Sequence, residues 1–253
     1  MQPRPTTTLG AGVILAGLLL AGSAGAAEIT VLASAAVKEA YIELVPGFER
    51  ATEHKVATTW AGTVDMLKRL QGGEIFDIVI MAGPAIDDFV KQGKIVSGSR
   101  VDLAKSGVGV AVRSGAAKPD ISSGDALKRA MLAAKSIAYS TGPSGVYIGG
   151  LFQRMGIADE IKSKVKITPP GVPVGDMIAR GEAEIGFQQV SELLPIAGID
   201  MIGPLPPDVQ QITVFAGGIH TGAPQADAAK ALLQFLSAPA AIPVLKKKGL
   251  EPG

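Results

Sequence analysis

The sequence predicts an α/β protein of two lobes, with mostly parallel sheets flanked by helices and strands that cross between the lobes. Three observations lead there. Short apolar runs of strand length alternate with stretches of helical periodicity, as successive βαβ units do. The alternation starts afresh after about residue 110. No Ser/Gly-rich linker separates the two series, so the chain passes from one to the other through strands. On this reading residues 28–109 and 213–253 form lobe 1 and residues 110–212 form lobe 2. A single larger doubly wound domain is the competing arrangement.

The first 27 residues stand apart. Arg4 supplies a positive charge, Leu9 to Ala21 is apolar, and Ala24-Gly25-Ala26 matches a small-residue cleavage site. The run is too short to span a bilayer, so it reads as a signal peptide, with a mature chain beginning near Ala27 and a periplasmic location. Cysteine is absent, which excludes disulfides, thiolate metal sites and a lipid-bearing cysteine at the cleavage point. Of 24 basic residues only Arg4 lies in the leader, leaving 23 against 23 acidic ones. Such a balance argues against nucleic acid or an anionic membrane surface as partner. The remainder, about 225 residues, is long enough for a large core and for one to two domains.

Ile29 to Ala33 reads as a buried strand, followed by a helix marked by Ala36, Ala40, Leu44 and Phe48. Pro46 predicts a break in that helix or a second short helix starting there. Lys55 to Trp60 is the second strand. A helix with Val64, Leu67 and Leu70 as its apolar stripe follows and stops at Gly72-Gly73. Phe76 to Met81 is apolar enough for the middle of a parallel sheet, and a helix over 84–92 ends at Gly93. Val108 to Val112 is the next strand, then a helix near Asp125–Ala134 and a strand over Ile137-Ala138-Tyr139. Beyond the helix that opens near Ser144, strands near Val165–Ile167 and Glu184–Gln188 bracket a helix over Val174–Arg180. Ile212–Ile219 is the last strand, before helices over Gln225–Ser237 and Pro239–Lys247.

Several loops occupy one structural position, at the carboxyl end of a strand and the amino end of a helix. These are Ser34-Ala35, Gly62-Thr63, Ser140 to Gly145 and, ending its strand, Gln188-Gln189. Ligands of open α/β sheets gather there, because helix starts offer unpaired N–H groups and the positive end of the macrodipole. Two adjacent amides after a buried strand also need partners. Each loop alone is equally a solvated, capped turn. Distributed over two lobes they predict an interlobe cleft for a small anion, with Lys38 and Lys68 the nearest cations.

Catalytic patterns are sparse. His54 and His220 lie outside these loops, so neither a Ser-His-Asp triad nor a histidine metal site can be assembled from them. Gly142-Pro143-Ser144-Gly145 is one residue short of a nucleophile elbow, and no phosphate-binding P-loop occurs. Any hydrolase reading would have to use Ser144 or an acid such as Glu182. The sequence therefore predicts a protein that is not an enzyme and carries no metal or cofactor. His54 reads as part of a turn, Lys246-Lys247-Lys248 as a solvated helix end, and Trp60 and Tyr147 as core or cleft residues.

Four stretches carry a resemblance: Ile29 to Ala36, Trp60-Ala61-Gly62-Thr63, Phe76 to Ile80 and Arg180 to Gly186. In order and spacing they are similar to the periplasmic molybdate-binding proteins, the solute-binding components of ABC importers. The resemblance spans the mature chain and implies the type II periplasmic-binding fold, with crossover strands as a hinge and closure on ligand. It places ligand contacts on Ser34, Ala35 and Ala36, on Gly62 and Thr63, on Ser144, Gly145 and Val146, and on Gln188 and Gln189. This sequence departs at three of them. Ala36 stands where the family has a serine, Val64 follows Thr63 where the family tends to have consecutive serines, and Gln189 replaces a tyrosine. Fewer hydroxyls and two amides favour an organic acid slightly ahead of molybdate or tungstate. The implied partner is an ABC permease and the implied state a monomer; a sensory partner of a membrane receptor is the alternative.

Overall fold

The computed structural model describes residues 25–169 and 171–253. The expected leader falls outside the described residues for all but its last three positions.

In chain order the elements are β1 (Glu28–Ser34), α1 (Lys38–Thr52), β2 (Lys55–Ala61), α2 (Thr63–Gln71), β3 (Ile78–Ala82), α3 (Gly83–Lys91) and β4 (Val101–Arg113). There follow α4 (Gly124–Ala133), β5 (Ile137–Tyr139), α5 (Pro143–Arg154), α6 (Ala158–Ile161), β6 (Val165–Ile167), α7 (Val174–Ala179), β7 (Ile185–Gln189) and α8 (Val190–Leu193). The chain closes with β8 (Ile199–Pro204), β9 (Ile212–Ile219), α9 (Ala226–Ser237), α10 (Ile242–Lys247) and β10 (Glu251–Pro252).

The strand order is β2-β1-β3-β9-β4-β7-β5-β6, with β8 and β10 also paired to β4. Within each series of βα units the strands are parallel: β2 and β3 flank β1, and β6 and β7 flank β5. The strands that cross between lobes pair antiparallel. β4 is shared: Val101 to Gly107 pairs with β9, whereas Val108 to Val112 pairs with β7. Helices cover both faces of each half. In lobe 1, Phe48, Phe215 and Leu232 pack on one face and Met66, Val79 and Phe89 on the other. In lobe 2, Leu127, Phe152 and Phe187 fill one face and Val174, Ile178 and Leu193 the other. This is a mixed α/β, type II periplasmic-binding fold.

Several local expectations need correction. Helix α1 runs through Pro46 without a break. Pro46 is exposed and so is Ile42, whose carbonyl loses its helical donor, so water can serve it while Tyr41, Val45 and Phe48 anchor the opposite face. In α2 the buried residues are Met66 and Leu70, whereas Val64 is 56 % exposed. The 3.6-residue period is the same but its face is rotated. Strand β4 begins seven residues earlier than its apolar core, because pairing with β9 overrides the charges of Asp102 and Lys105. Asp77, fully buried, is structural: Oδ2 accepts from Thr30 N–H and Oγ1, each at 2.8 Å, and Oδ1 accepts from Gln225 N–H at 2.7 Å.

Candidate functional site

The turns after β1, β2, β5, β6 and β7 converge on one cavity of about 160 Å³ between the lobes. Lobe 1 contributes Ser34, Ala35, Trp60 and Gly62, with Lys38 and Glu39 from the first turn of α1. Lobe 2 contributes Ser140, Thr141, Thr168, Gln188 and Glu192. Most of the wall is built by one device: a strand ends and the backbone turns toward a helix start, where unpaired N–H groups lie.

The hydroxyls are held by their own turns. Ser34 Oγ accepts from Ala36 N–H at 3.4 Å, and Ser140 Oγ accepts from Gly142 N–H at 3.2 Å. Trp60 is braced edge-on by Tyr41, with ring centroids 5.2 Å apart. The walls also meet. Ser191 Oγ donates to the Ala36 carbonyl at 2.7 Å, a bond between α8 and the turn before α1.

Four predicted ligand contacts, Ser34, Ala35, Gly62 and Gln188, lie on the cavity wall. The other six are placed elsewhere. Ala36 is buried behind Ser34 and serves as the acceptor for Ser191. Thr63 begins α2 behind Gly62. Ser144 and Gly145 are buried in the first turn of α5, and a side chain at 145 would run into the Ser140 carbonyl. Val146 faces solvent. Gln189 is fully buried and turned away from the cavity. With its amide oriented to satisfy its neighbours, Nε2 donates to the carbonyls of Ser106 and Gly107 and Oε1 accepts from Thr213 Oγ1 at 3.2 Å. It ties β7 to both crossover strands. The period of two explains the split: neighbouring strand residues point to opposite faces, so Gln188 and Gln189 cannot share one role.

Glu192 was not anticipated. It stands in the first turn of α8, part-buried on the cavity wall, and Gln188 Nε2 donates to its Oε1 at 2.8 Å. Gln188 Oε1 in turn accepts from Val174 N–H, at the start of α7, at 2.9 Å. Burial pushes the carboxyl up to about 7, against the opposing pull of the Gln188 side chain and the Gln189 backbone. Its signal was present in the sequence: Glu192 is the sole charged residue between Glu184 and Asp200, four residues beyond Gln188. The two hydrolase candidates fare differently. Glu182 is exposed and paired with Arg180 on the surface, and Ser144 is sealed in α5, its hydroxyl without a hydrogen-bond partner among the described residues.

A two-lobed α/β fold with donor-rich turns around an interlobe cavity defines a solute-binding protein of the anion-binding type. The chain belongs to the bacterial extracellular solute-binding protein family, whose model matches residues 29–251. Among named relatives, an aconitate isomerase from a Pseudomonas species is 39 % identical over 259 residues, covering 100 % of this chain and 98 % of that protein. The molybdate-binding protein ModA of Azotobacter vinelandii is 30 % identical, covering 97 % and 96 % of the two chains. The solved periplasmic molybdate-binding protein of the same organism superposes with a TM-score of 0.74 at 17 % identity, over 89 % of this chain and 99 % of that one.

The expectation that the protein is not an enzyme is corrected here. A relative alike along the whole chain bears an enzyme's name. Along the sequence no acid or base falls within the loops themselves, but the fold brings Glu192 in among them.

Proposed function

We propose that the cleft captures a small tricarboxylate of the aconitate type and interconverts its geometric isomers. The observation that carries this reading is the cavity itself. At about 160 Å³ it has roughly ten times the space that one water requires. That is room for an extended anion rather than a single compact oxyanion. Ser34, Ser140 and Thr141 offer hydroxyls, the adjoining helix starts offer N–H groups, and Lys38 offers a charge to a ligand with several carboxylates. The full-length likeness to a protein named aconitate isomerase supports the same ligand. In such a molecule a methylene lies next to a C=C bond, so moving one proton along the chain shifts the double bond and allows its geometry to change.

Within this reading Ser34, Ala35, Gly62 and Gln188 contact the ligand, and lobe 1 (residues 28–109 and 213–253) closes on lobe 2 (110–212). Residues 1–27 direct a monomer to the periplasm. The test is direct. Purified protein is mixed with cis-aconitate, and trans-aconitate is followed by proton NMR, with calorimetry reporting binding. Appearance of the second isomer supports the reading; binding of molybdate or tungstate with no response to either aconitate refutes it.

Membership of the solute-binding family favours a second, compatible role: handing the captured anion to an ABC permease. Co-purification of a membrane permease with the tagged protein from its own cells tests it, and a sensor recovered instead would redirect it.

A further inference from the structure

The geometry points to Glu192 as the acid–base residue that moves the proton in this cleft, with Gln188 as the residue that positions it. The inference rests on the isomerase reading above and adds which atoms act.

Among the described residues that line the cavity, three side chains carry a formal charge at neutral pH or can lose one: Lys38, Glu39 and Glu192. Lys38 and Glu39 are consecutive on α1, and neither makes a hydrogen bond or ion pair through its side chain among the described residues. Nothing there fixes an orientation. Glu192 differs. Its Oε1 is held by Gln188, which is itself held through its other amide atom by the first N–H of α7. Helix α8 is held as well, through Ser191 and the Ala36 carbonyl across the cleft. The carboxyl is thus held by Gln188 and the Gln189 backbone on the cavity wall, where a ligand can reach it.

The environment keeps this group near its switching point. Of the elements packed against α8, β7 carries no charge, and β4 runs past with the uncharged stretch Ser106 to Val112. Helix α7 carries Asp176, and the start of α1 carries Lys38 and Glu39. Lys247 and Lys248 border the adjoining hollow but are paired with Glu43. Burial is therefore the dominant influence, and it leaves acid and base forms both accessible near neutrality.

The step balances without a co-reactant. A methylene C–H bond of the tricarboxylate breaks, and its proton passes to the Glu192 carboxylate. The electron pair spreads over the three-carbon allylic unit and the carboxylates attached to it, which sit at helix starts and hydroxyls. The neutral carboxyl then protonates the far end of that unit. A new C–H bond forms, the C=C bond has moved by one position, and Glu192 is again ionised. Besides lining the cleft, Gln188 acts on Glu192: its amide N–H favours the ionised form and orients the carboxyl.

Three measurements on the full-length protein test this. Glu192→Gln should lower kcat by about 10²–10⁴-fold with aconitate binding little changed by calorimetry. Gln188→Leu should shift the acid limb of the kcat–pH profile to higher pH, because the bond that favours the ionised carboxyl is gone, and Gln188→Asn should restore part of the shift. Carbon-13 NMR of labelled glutamate should find one resonance titrating near neutrality that vanishes in Glu192→Gln. Full turnover by Glu192→Gln would overturn the assignment while leaving the isomerase reading standing. A folded wild type that binds aconitate but never converts it would overturn both. An unmoved pH profile in Gln188→Leu would remove the positioning role.

Discussion

Gly62 and Thr141 face each other across the cleft with no room for a side chain between them. A Cβ built on Gly62 would stand 2.7 Å from Thr141 Oγ1 and 3.5 Å from the Thr141 carbonyl carbon and oxygen. Gly62 belongs to the turn after β2 and Thr141 to the turn after β5, so the pair records how closely the two lobes approach.

This contact makes closure testable. Gly62→Ala should weaken ligand binding by about tenfold, roughly 1.4 kcal/mol, with little effect on thermal stability, because the clash lies between the lobes and in neither core. Adding Thr141→Ala removes the offending oxygen and should recover most of the loss. Calorimetry on the single and double variants decides it; equal affinity in Gly62→Ala would show that the approach is not needed for binding.

Ser191→Ala removes the bond between α8 and the Ala36 carbonyl. An acceptor buried without a partner costs about 1–3 kcal/mol, and here the cost falls on the contact between the lobes. Ligand affinity should drop by that amount, and small-angle scattering of the ligand-free variant should show a larger radius of gyration than wild type. An unchanged radius and affinity would mean that the lobes stay together without it.

The raised Glu192 pKa carries a stability consequence with a definite sign. Its ordinary value is 4.5 and in the folded protein it is about 7. Below 4.5 both states hold the proton. Between the two values only the native state holds it, so stability falls as pH rises through that window, by about 3 kcal/mol at most. Above 7 both states are ionised and the whole penalty remains. Glu192→Gln should therefore be more stable than wild type at pH 8 and close to it at pH 4.5, measured by denaturant unfolding. The same sensitivity to pH in wild type and variant would exclude Glu192 as its source.

Gln189→Ala should act on the fold rather than on the ligand. The amide bridges Ser106, Gly107 and Thr213, so its removal strands buried groups of both crossover strands and should cost about 1–3 kcal/mol. Urea unfolding would show the loss, while affinity per folded molecule should hold.

The pattern of strands and helices was open to reading because burial on both sheet faces leaves continuous apolar runs, as in Ile78 to Met81, and because helix faces repeat every three or four residues. The strand bounds at Val165–Ile167 and Ile212–Ile219 were legible for that reason. What could not be read were features set by distant partners. The first half of β4 is strand only because β9 lies alongside. The site divides the same way. Turn residues such as Ser34 and Gly62 are marked by local chemistry. Glu192 is marked locally as an isolated charge four residues beyond Gln188, but its character is fixed by the start of α7 and by burial, neither of which has a local signature.

The position of β9 between β3 and β4 ties together segments far apart in the sequence. Until residues 212–219 have been made, the sheet of β1, β2 and β3 lacks the neighbour that joins it to β4, and α9, which covers one face, is also missing. The stretch from β4 to β8, by contrast, pairs chiefly within itself. A chain emerging from its N-terminus thus meets contacts of long sequence separation last, which slows assembly. The sheet of β1, β2 and β3 therefore gains its last neighbour only after the whole stretch from β4 to β8 has been made, and until then its β3 edge stays open to a chaperone.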